Sequence, residues 1–508
     1  MSSNEAALLK KRLSDRLWRL NSLYYIIDKA GKRVKFQMNS AQERLYNEMH
    51  LLNVILKARQ RGFTTFIQLF MLDTCLFNSN TSCGTIAHTL TDAQHIFATK
   101  VKYPYNNLPE GLRNEIGADQ DSANSYLFSN NSGLRVGTSL RSGTLQMLHV
   151  SEHGKLCARY PDKAEEVRTG ALNTVDIGQM VFVESTAEGQ GGDYYDLCME
   201  SMNHQREGRT LTELDFKFHF HPWYEDEGYV LNTDHAILSP EDHEYFNQLA
   251  IHHGIELTPE QRAWYVYKKK TQKDAMKREY PSTPEEAFEA AIEGAYFSHE
   301  MTALREAGHI TDVPYDPHYE VNTFWDVGTS DMTCIWFHQH IGYEHRFFDY
   351  FQDNHQGLKH YAKVLKDKDY NYGHHYFPHD MGNLSLSTGK TREDTANELG
   401  ISPSTVVPRT LDINDDIEEV RNVLPNCWFH REKCMQGTKG LDAFRKDWDD
   451  KNGRWKDKPL HDWASDPVAA FRTFAMGFVN HTSSHSSQVR NNSNNYETGD
   501  QDYDILNR

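Results

Sequence analysis

Residues 54–66, "VILKARQRGFTTF", contain the turn on which the interpretation of this chain depends. The first residues are apolar and predict a strand, Gly62 permits a turn, and Thr64 and Thr65 precede an apolar segment that can begin a helix. A phosphate-binding loop has this order of strand, loop and helix, with the pattern G-x-x-x-x-G-K-[ST]. Phe63 stands here where that pattern has lysine. The stretch is therefore either a differently built phosphate site or a plain basic turn, and taken alone it favours the turn.

The bulk composition limits the classes of protein to which the chain can belong. At 508 residues, two domains are the natural expectation. A net charge of −18 argues against a protein that coats nucleic acid with its whole surface, but it allows a local basic track or a carboxylate-rich metal site. Seven scattered cysteines do not form a disulfide framework and fit a reducing cytosol. With no apolar secretion segment and no apolar run of membrane-spanning length, no membrane contact is expected.

The order of apolar segments predicts two α/β domains. Strands such as "NVILKA", "LQMLHVSE" and "MVFVEST" alternate with helical stretches between 51 and 190, which is typical of a mostly parallel sheet. Between 240 and 310, Ser or Thr followed by Pro and acids predicts helix starts. A second α/β pattern, after a turn-rich segment, predicts a mixed sheet. We therefore predict a first α/β domain at 1–240, a helical lid or linker at 241–315, a second α/β domain at 316–480 and a disordered tail at 481–508.

The cation of a phosphate site need not follow the glycine in sequence. Lys57 lies five residues before Gly62, at the end of the predicted strand, and Arg59 and Arg61 lie beside it. Thr64 stands where the magnesium-binding hydroxyl belongs. These residues would allow Lys57 to contact the phosphates from the start of the loop, but taken alone they still favour a plain basic turn.

Two later strands end in residues that suit a nucleotide site. "LQMLHVSE" ends in Ser151-Glu152, where ATPases usually have Asp-Glu, an acid for the magnesium shell and a glutamate that polarises water. Ser151 would leave magnesium to be held through water and Thr64, whereas Glu152 keeps the position of the general base; an exposed glutamate at a strand end is the alternative. "VFVESTAEG" then places Ser185, Thr186 and Ala187 after an apolar strand, where small hydroxyl residues can sense the γ-phosphate.

These parts, in this order, resemble the large terminase subunit of tailed bacteriophages, the motor that packages viral DNA and cuts it. The match covers roughly residues 15–480 and includes "YPSTPEEAFEA" (280–290) and "FHFHPWY" (218–224). The resemblance implies an N-terminal P-loop ATPase domain of the ASCE type and a C-terminal RNase H-like nuclease domain. It also implies that ATP, with one Mg²⁺, is bound by Gln42 at the adenine and by Lys57, Arg59, Arg61, Gly62, Phe63, Thr64 and Thr65.

Two further roles follow from the same resemblance. Ser185, Thr186 and Ala187 correspond to the motif that couples γ-phosphate loss to movement. Arg141 precedes the Glu152 strand, and an arginine there can complete the site of a neighbouring subunit in a ring. The alternative for Arg141 is a bracing role at the glycine-containing turn.

Acidic residues mark a second candidate site. Asp326 in "NTFWDVGTS" and Asp380 in "HHYFPHD" each follow an apolar strand. Two acids at neighbouring strand ends would repel one another, which favours divalent cations between them. The resemblance implies that Asp326 and Asp380 hold two Mg²⁺ or Mn²⁺ ions that cut phosphodiesters.

The third metal ligand departs from the family pattern. Large terminases tend to carry an acid just before "A-x-R" on the final helix, where this chain has Ala469. Asp466 lies three residues earlier, on the same helical face, and is the preferred candidate. Asp466 also suits a helix cap, and Asp462 is the alternative ligand.

The implied partners are double-stranded DNA, the portal protein, a small terminase subunit and other copies of the chain in a ring. Non-specific DNA contact is expected from a basic helical stretch comprising Lys268, Lys269, Lys270, Lys273, Lys277 and Arg278. The expected location is the host cytoplasm, with transient docking at the portal vertex of the procapsid and absence from the mature virion. The alternatives are a helicase-like translocase with a degenerate nuclease domain and a non-enzymatic portal-associated scaffold.

Overall fold

The computed structural model describes residues 3–141, 143–235, 237–289, 294–328, 332–384, 389–449 and 454–479. The predicted tail at 481–508 lies outside the described residues. The chain divides into two units, Met1–Ala291 and Ile292–Arg508. This division falls inside the segment 241–315 that was predicted as a lid or linker. The helices between residues 240 and 289 therefore belong to the first unit.

The first unit contains the strands β1 Tyr25–Ile27, β2 Arg33–Lys35, β3 Leu52–Lys57, β4 Ser82–Ile86, β5 Ala118–Asp121, β6 Ser125–Phe128, β7 Gly133–Gly137, β8 Leu145–Ser151, β9 Val175–Ser185 and β10 Phe216–His221. Its α-helices are α1 Ser3–Ser14, α2 Arg16–Ser22, α3 Ser40–Glu48, α4 Phe63–Phe77, α5 Leu90–Ile96, α6 Tyr103–Asn106, α7 Glu110–Glu115, α8 His153–Arg159, α9 Pro161–Glu166, α10 Asp193–Arg206, α11 Pro240–His253, α12 Pro259–Gln272, α13 Met276–Glu279 and α14 Pro284–Glu289.

The main sheet of the first unit has the order β10-β3-β9-β8-β4-β7-β6-β5. The neighbours from β10 to β7 are parallel, and β6 pairs antiparallel with both β7 and β5. β3, β9 and β8 are therefore adjacent, and their carboxyl ends meet at one edge, where parallel sheets bind ligands. The strand β3, which precedes the candidate phosphate loop, is separated by the single strand β9 from β8, which ends at Ser151. This is the strand order of an ASCE-type P-loop fold, as predicted.

The local sequence explains where the helices of this unit begin. Asn39, Ser239 and Thr258 each cap a helix, and each forms a capping box with the residue three positions later. Proline follows Ser239 and Thr258 at the first helical position, where its missing N–H costs nothing. The helix starts predicted from Ser-Pro and Thr-Pro are thus confirmed.

The second unit contains the strands β11 Ile310–Thr311, β12 Val321–Asp326, β13 Thr333–Ile341, β14 Glu344–Asp353, β15 Tyr372–Phe377, β16 Ser404–Val406, β17 Cys427–His430, β18 Lys446–Asp449 and β19 Arg454–Pro459. Its α-helices are α15 Ser298–Glu306, α16 Leu358–Lys368, α17 Arg392–Glu398, α18 Ile413–Val423, α19 Met435–Ala443 and α20 Ser465–Phe474.

The main sheet of the second unit is mixed, with the order β11-β17-β14-β13-β12-β15-β16. Among these described strands, β13 runs antiparallel to β12 and β14, and the remaining neighbours are parallel. This order with one reversed strand confirms the predicted RNase H-like fold. Helix α20 packs on the sheet through Phe471 and Phe474, whose rings contact Phe347 at centroid distances of 5.1 and 5.0 Å.

A buried ion pair joins α2 to α4 in the first unit. The Arg19 guanidinium donates to both carboxylate oxygens of Asp73, at 2.9 and 2.7 Å, and the Tyr24 hydroxyl donates to Asp73 at 2.8 Å. Asp73 is fully buried. Three donors therefore replace the water that this carboxylate loses on folding.

We expect Asp73→Ala to lower the free energy of unfolding by about 3–5 kcal/mol, because it leaves the Arg19 charge buried without a counter-ion. Chemical denaturation of the full chain measures the loss. Asp119→Ala, at an exposed position, is the matched control and should change stability by less than about 0.5 kcal/mol. Equal effects of the two substitutions would contradict the assigned role of the pair.

Candidate nucleotide site and carboxylate cavity

Gly62 shapes the loop before α4. Its φ of +77° is in the left-handed region, and a Cβ placed there would lie 2.7 Å from Gln42 Nε2. That Nε2 donates to the Gly62 carbonyl at 2.8 Å, while Gln42 Oε1 accepts from the Asn39 N–H at 3.0 Å. Both the conformation and the close approach require glycine. Gln42 therefore lies beside the loop, and its predicted contact with adenine stays a prediction.

Phe63 explains why the usual lysine is missing after the glycine. Its side chain is fully buried, and its ring centroid is 4.3 Å from that of His221. Burial lowers the pKa of His221 to about 2, so the ring against Phe63 is neutral. A lysine at this position would put a charge into the core. Phe63 and Thr65, also buried, can contact a phosphate through the backbone N–H groups that begin α4.

Lys57 supplies the cation from the other end of the loop. Its Nζ lies 2.5 Å from Glu184 Oε2 and 3.1 Å from Glu152 Oε1, and its side chain is only 7% exposed. Burial alone would lower the pKa of Lys57, but the two carboxylates outweigh it and hold that pKa above its ordinary value. A charged ammonium is thus fixed between the end of β9 and the end of β8.

Glu184 is the residue of this site that the sequence analysis missed. It is fully buried, and its Oε1 accepts hydrogen bonds from Thr64 Oγ1 at 2.7 Å and from Ser151 Oγ at 3.0 Å. His149 Nε2 lies 3.3 Å from the same oxygen. Burial would raise the pKa of Glu184, yet Lys57 and His149 hold it below the ordinary value. An acid inside an otherwise apolar strand was the available signal, since such residues are almost never buried unless paired.

Glu152 has a strained backbone at the junction of β8 and α8. Its φ is +56°, which is uncommon for a residue other than glycine and recurs at functional sites. Oε1 contacts Lys57, whereas Oε2 is buried without a hydrogen bond from the described residues and lies 3.8 Å from Lys155 Nζ. The carboxylate is therefore held at the site with one oxygen available to a further donor.

The predicted coupling residues lie between the loop strand and α8. Ser185 and Thr186 are buried, and their hydroxyl groups have no hydrogen-bond partner among the described residues. The Tyr194 hydroxyl lies 3.1 Å from the Ser185 carbonyl and 2.8 Å from a carbonyl of β3. A Cβ on Gly154 of α8 would lie 2.7 Å from the Thr186 carbonyl. A shift of this segment would therefore displace α8.

Arg59 and Arg61, both predicted to bind ATP, form ion pairs with acids. Arg59 Nη1 is 3.0 Å from Glu279 Oε2, and its N–H donates to the Glu279 carbonyl. Arg61 is 2% exposed, with Nη1 at 3.1 Å from Asp226 Oδ2. The structure therefore shows both as braces of the loop, and their contact with phosphate stays a prediction.

Arg141 lies at the surface of the first unit. Its Nε is 2.7 Å from Glu166 Oε1, and its side chain is 65% exposed. The aliphatic part of the Arg141 side chain lies beside Gly170, where an added Cβ would be 3.3 Å from Arg141 Cγ. Arg141 thus connects its segment to Glu166 and Gly170, and its predicted role in the site of a neighbouring subunit stays a prediction.

The basic stretch predicted to track DNA is only partly exposed. Arg278 is buried and contacts Glu188 at 3.4 Å and Glu279 at 3.2 Å. Lys269 is 3.0 Å from Asp242 Oδ1. Including Arg278 in this track was wrong, because its guanidinium is an internal counter-ion.

In the second unit, Asp326 and Asp380 line one cavity of about 570 Å³. Asp326 ends β12, and Asp380 lies in the turn that follows the parallel neighbour β15. Arg392 Nη1 lies 3.7 Å from Asp380 Oδ2. The structure thus brings the two predicted acids together, with an arginine beside one of them.

Asp416 of α18 is a third cavity acid that the sequence analysis missed. It is buried, its Oδ2 accepts from Arg472 Nε at 2.9 Å, and its Oδ1 has no hydrogen-bond partner among the described residues. Ala469 and Arg472 of α20 line the same cavity. Asp416 was overlooked because acids in the first turn of an amphipathic helix usually serve the helix dipole.

Neither of the two acids predicted to complete the metal site is among the described residues that line this cavity, although Asp466, like Asp326, lies close enough to Cys334 to raise the pKa of that thiol. Asp466 Oδ2 accepts from the Met332 N–H at 3.1 Å, and Asp462 Oδ2 is 3.0 Å from Arg445 Nη2. Within the described ranges, no group of three or more His, Cys, Asp or Glu side chains is arranged to hold a metal ion. The metal-ligand assignments of Asp326, Asp380 and Asp466 therefore stay predictions.

The ion pair of Lys57 predicts a pH dependence of stability. Since the pKa of Glu184 is depressed below 4.5, its stabilising contribution is present above that pH and is lost as the pH falls. Lys57→Met removes the charge that lowers this pKa most, so the pKa of Glu184 rises relative to the wild type and the variant gains less stability than the wild type as the pH rises. We expect the difference in unfolding free energy from the wild type to grow between about pH 5 and about pH 8, reaching about 3–5 kcal/mol.

Denaturant titrations at several pH values measure this difference. Lys155→Met is the matched control, because Lys155 is 3.8 Å from Glu152 and its removal leaves the Lys57–Glu184 pair intact. A difference between wild type and Lys57→Met that does not change with pH would contradict the assigned ion pair.

Of three comparisons with known proteins, only the one with solved structures finds proteins that align with the chain. No protein-family model matches the chain, and none of the curated proteins matches it. None of the described helices is both long and apolar enough to cross a membrane.

The solved structures that align with the chain include the large terminase of a thermophilic bacteriophage in complex with ATP-γ-S, at 12% identity over 86% of this chain and 98% of that one, with a TM-score of 0.30.

Two single-domain structures align with parts of the chain. The ATPase domain of the Thermus phage P74-26 large terminase is 14% identical to this chain. The alignment covers 48% of this chain and 93% of that one, with a TM-score of 0.29. The large terminase nuclease of thermophilic phage G20c with bound cobalt is 14% identical to this chain, and the alignment covers 36% of this chain and 97% of that one, with a TM-score of 0.28. Because these TM-scores are low, the fold and the site rest on the strand order and distances above. The aligned structures are large terminases from several phages, the family that the motifs resemble.

Proposed function

We propose that this chain is the large subunit of a phage terminase, an ATP-driven motor that moves double-stranded DNA into a procapsid and cuts it with a metal-dependent endonuclease. The observation that carries the proposal is the placement of Lys57 between Glu184 and Glu152, where three adjacent parallel strands end beside the first turn of α4. A buried cation, two acids and free helix N–H groups are what a triphosphate site needs.

The nucleotide site has a defined role for each group. The ammonium of Lys57 exchanges a carboxylate for phosphate oxygens, while the N–H groups of α4 bind them from the other side. Bound Mg²⁺ would neutralise charge on the β- and γ-phosphates, and the Thr64 hydroxyl beside the Glu184 carboxylate fits it, because Mg²⁺ prefers oxygen donors. Glu152, released by Lys57, orients the attacking water and accepts its proton.

The coupling residues respond to the γ-phosphate. The hydroxyls of Ser185 and Thr186 are buried with no hydrogen-bond partner in the described part of the chain. Each can therefore donate to a phosphate oxygen, and these hydrogen bonds are lost after hydrolysis. Their contacts with β3 and α8 then pass the change to the rest of the unit. Arg141, exposed at the surface, is suited to complete the site of a neighbouring copy in a ring.

The cavity of the second unit is the proposed nuclease site. Asp326 and Asp380 would hold Mg²⁺ or Mn²⁺, which would activate water and stabilise the transition state of phosphodiester cleavage. The buried Oδ1 of Asp416, which accepts no hydrogen bond from the described residues, fits a cation in the same cavity. Double-stranded DNA is the proposed substrate, and the portal protein and a small terminase subunit are the proposed partners.

A second candidate is a DNA translocase whose nuclease unit is degenerate. Two observations favour it: Ala469 stands where the family has an acid, and Arg472 and Arg392 already neutralise cavity carboxylates. Nuclease measurements separate the two candidates.

Two substitutions should separate the activities. We expect Glu152→Gln to lower DNA-stimulated ATP turnover by roughly 10²–10⁴-fold, because the base is lost, while Mn²⁺-dependent plasmid nicking is retained. Asp326→Asn should abolish nicking and leave ATP turnover within about twofold of the wild type. Nicking that persists in Asp326→Asn would remove Asp326 from the metal site and favour the degenerate-nuclease candidate.

A further pair of variants tests which acid completes the nuclease site. Because Asp416 lines the cavity and Asp466 does not, we expect Asp416→Asn to lower nicking by at least about tenfold and Asp466→Asn to lower it less. Gel-based nicking rates at a fixed Mn²⁺ concentration, with melting temperatures as the control for folding, decide the comparison. The reverse order of effects would restore Asp466 as the third ligand.

A further inference from the structure

The proposed nucleotide site lacks an acid at the usual position for the magnesium shell, and Glu184 is the acid that lies nearby. P-loop ATPases hold Mg²⁺ with the loop Ser or Thr and an aspartate that precedes the catalytic glutamate. In this chain Ser151 precedes Glu152. A serine hydroxyl is neutral, so it cannot balance the charge of a divalent ion.

The strand register brings another acid to the same place. Glu184 of β9 is the direct partner of Ser151 on β8, and the next residue of β9, Ser185, pairs with Leu56 on the loop strand. Adjacent strands lie about 4.8 Å apart, a gap that the extra methylene of glutamate helps to span. Glu184 therefore stands one strand away from the position where the aspartate is missing.

The hydrogen bonds of Glu184 are those expected of a magnesium-shell acid. Its Oε1 accepts from Thr64, the hydroxyl predicted to bind the ion, and from Ser151, the residue in the aspartate position. Its Oε2 faces the ammonium of Lys57 at 2.5 Å. A cation already occupies the space beside this carboxylate, and it is the one that must turn to the phosphates when a nucleotide binds.

We infer that Glu184 replaces the missing aspartate as the carboxylate of the magnesium shell, so that this ATP site takes its metal acid from β9 and its general base from β8. The inference rests on the proposed ATPase function and deepens it. Glu184 and Glu152 then have separate roles, although Lys57 contacts both. Lys57 acts as the counter-ion of Glu184 until Mg²⁺ arrives with the nucleotide.

The alternative role for Glu184 is a counter-ion of Lys57 alone. The two roles differ in how nucleotide affinity depends on Mg²⁺. If Glu184 serves only Lys57, Glu184→Gln changes the affinity for ATP equally with and without Mg²⁺. If Glu184 serves the metal, the variant loses the gain in affinity that Mg²⁺ provides.

The test is equilibrium binding of a fluorescent ATP analogue to the full-length chain, with Mg²⁺ or with a chelator. We expect the ratio of the two dissociation constants to fall by about 10–100-fold in Glu184→Gln, the usual effect of removing a carboxylate that supports a metal. Ser151→Asp combined with Glu184→Gln moves the acid to the usual strand and should restore the ratio to within about threefold of the wild type. Glu188→Gln, which removes a buried carboxylate paired with Arg278, is the matched control and should leave the ratio unchanged.

The outcomes separate failure of the inference from failure of the proposed function. A wild-type chain that binds no nucleotide refutes the ATPase proposal itself. A wild-type chain with a strong Mg²⁺ effect that persists in Glu184→Gln refutes only the role of Glu184. If Glu184→Gln does not fold by circular dichroism, the double variant decides alone, and its binding nucleotide without a Mg²⁺ effect would also refute that role.

Discussion

The first unit depends on a buried charge balance at the ends of three parallel strands. Lys57 and Glu184 lie on β3 and β9, which are covered on both faces, so neither ion can keep its water. Lys57 remains charged because Glu152 and Glu184 lie 3.1 and 2.5 Å from its ammonium, and Glu184 remains charged because Lys57 and His149 contact it. Removing one partner of such a pair destabilises the protein by more than the intact pair stabilises it. The stability of the loop, of β9 and of β8 therefore depends on one set of charges.

This balance suits the proposed phosphate site, which departs from the usual pattern at two positions. The lysine has moved from position 63 to position 57, which frees Phe63 to pack into the core against His221. The acid that we infer for the magnesium shell, Glu184, stands on the strand next to that of Ser151. Lys57 contacts Glu152, and Glu184 contacts Thr64, so both charges lie beside the loop although they do not stand at the usual sequence positions.

The cavity of the second unit balances its acids differently. Asp416 and Asp380 are beside Arg472 and Arg392, which come from helices α20 and α17 and not from the strand ends. Arginine cannot be deprotonated and forms directional contacts with carboxylates, so a metal must compete with it for these oxygens. Under the proposed function, metal binding in this unit would require movement of the arginine side chains, whereas nucleotide binding in the first unit would require Lys57 to exchange a carboxylate for phosphate.

The sequence alone determined the features that are local along the chain. Helix starts at Ser239 and Thr258, the turn at Gly62, and the alternation of strands and helices follow from backbone and capping preferences of neighbouring residues. The candidate roles of Lys57 and Glu152 were also available, since both stand at recognisable strand ends. Only the tertiary structure placed Glu184 and Asp416 beside the residues of the two candidate sites, and only it showed that Arg278 is an internal counter-ion and that the units divide at residue 291. These outcomes depend on which strands and helices become neighbours, and a buried charge is decided by partners that lie far away in the sequence.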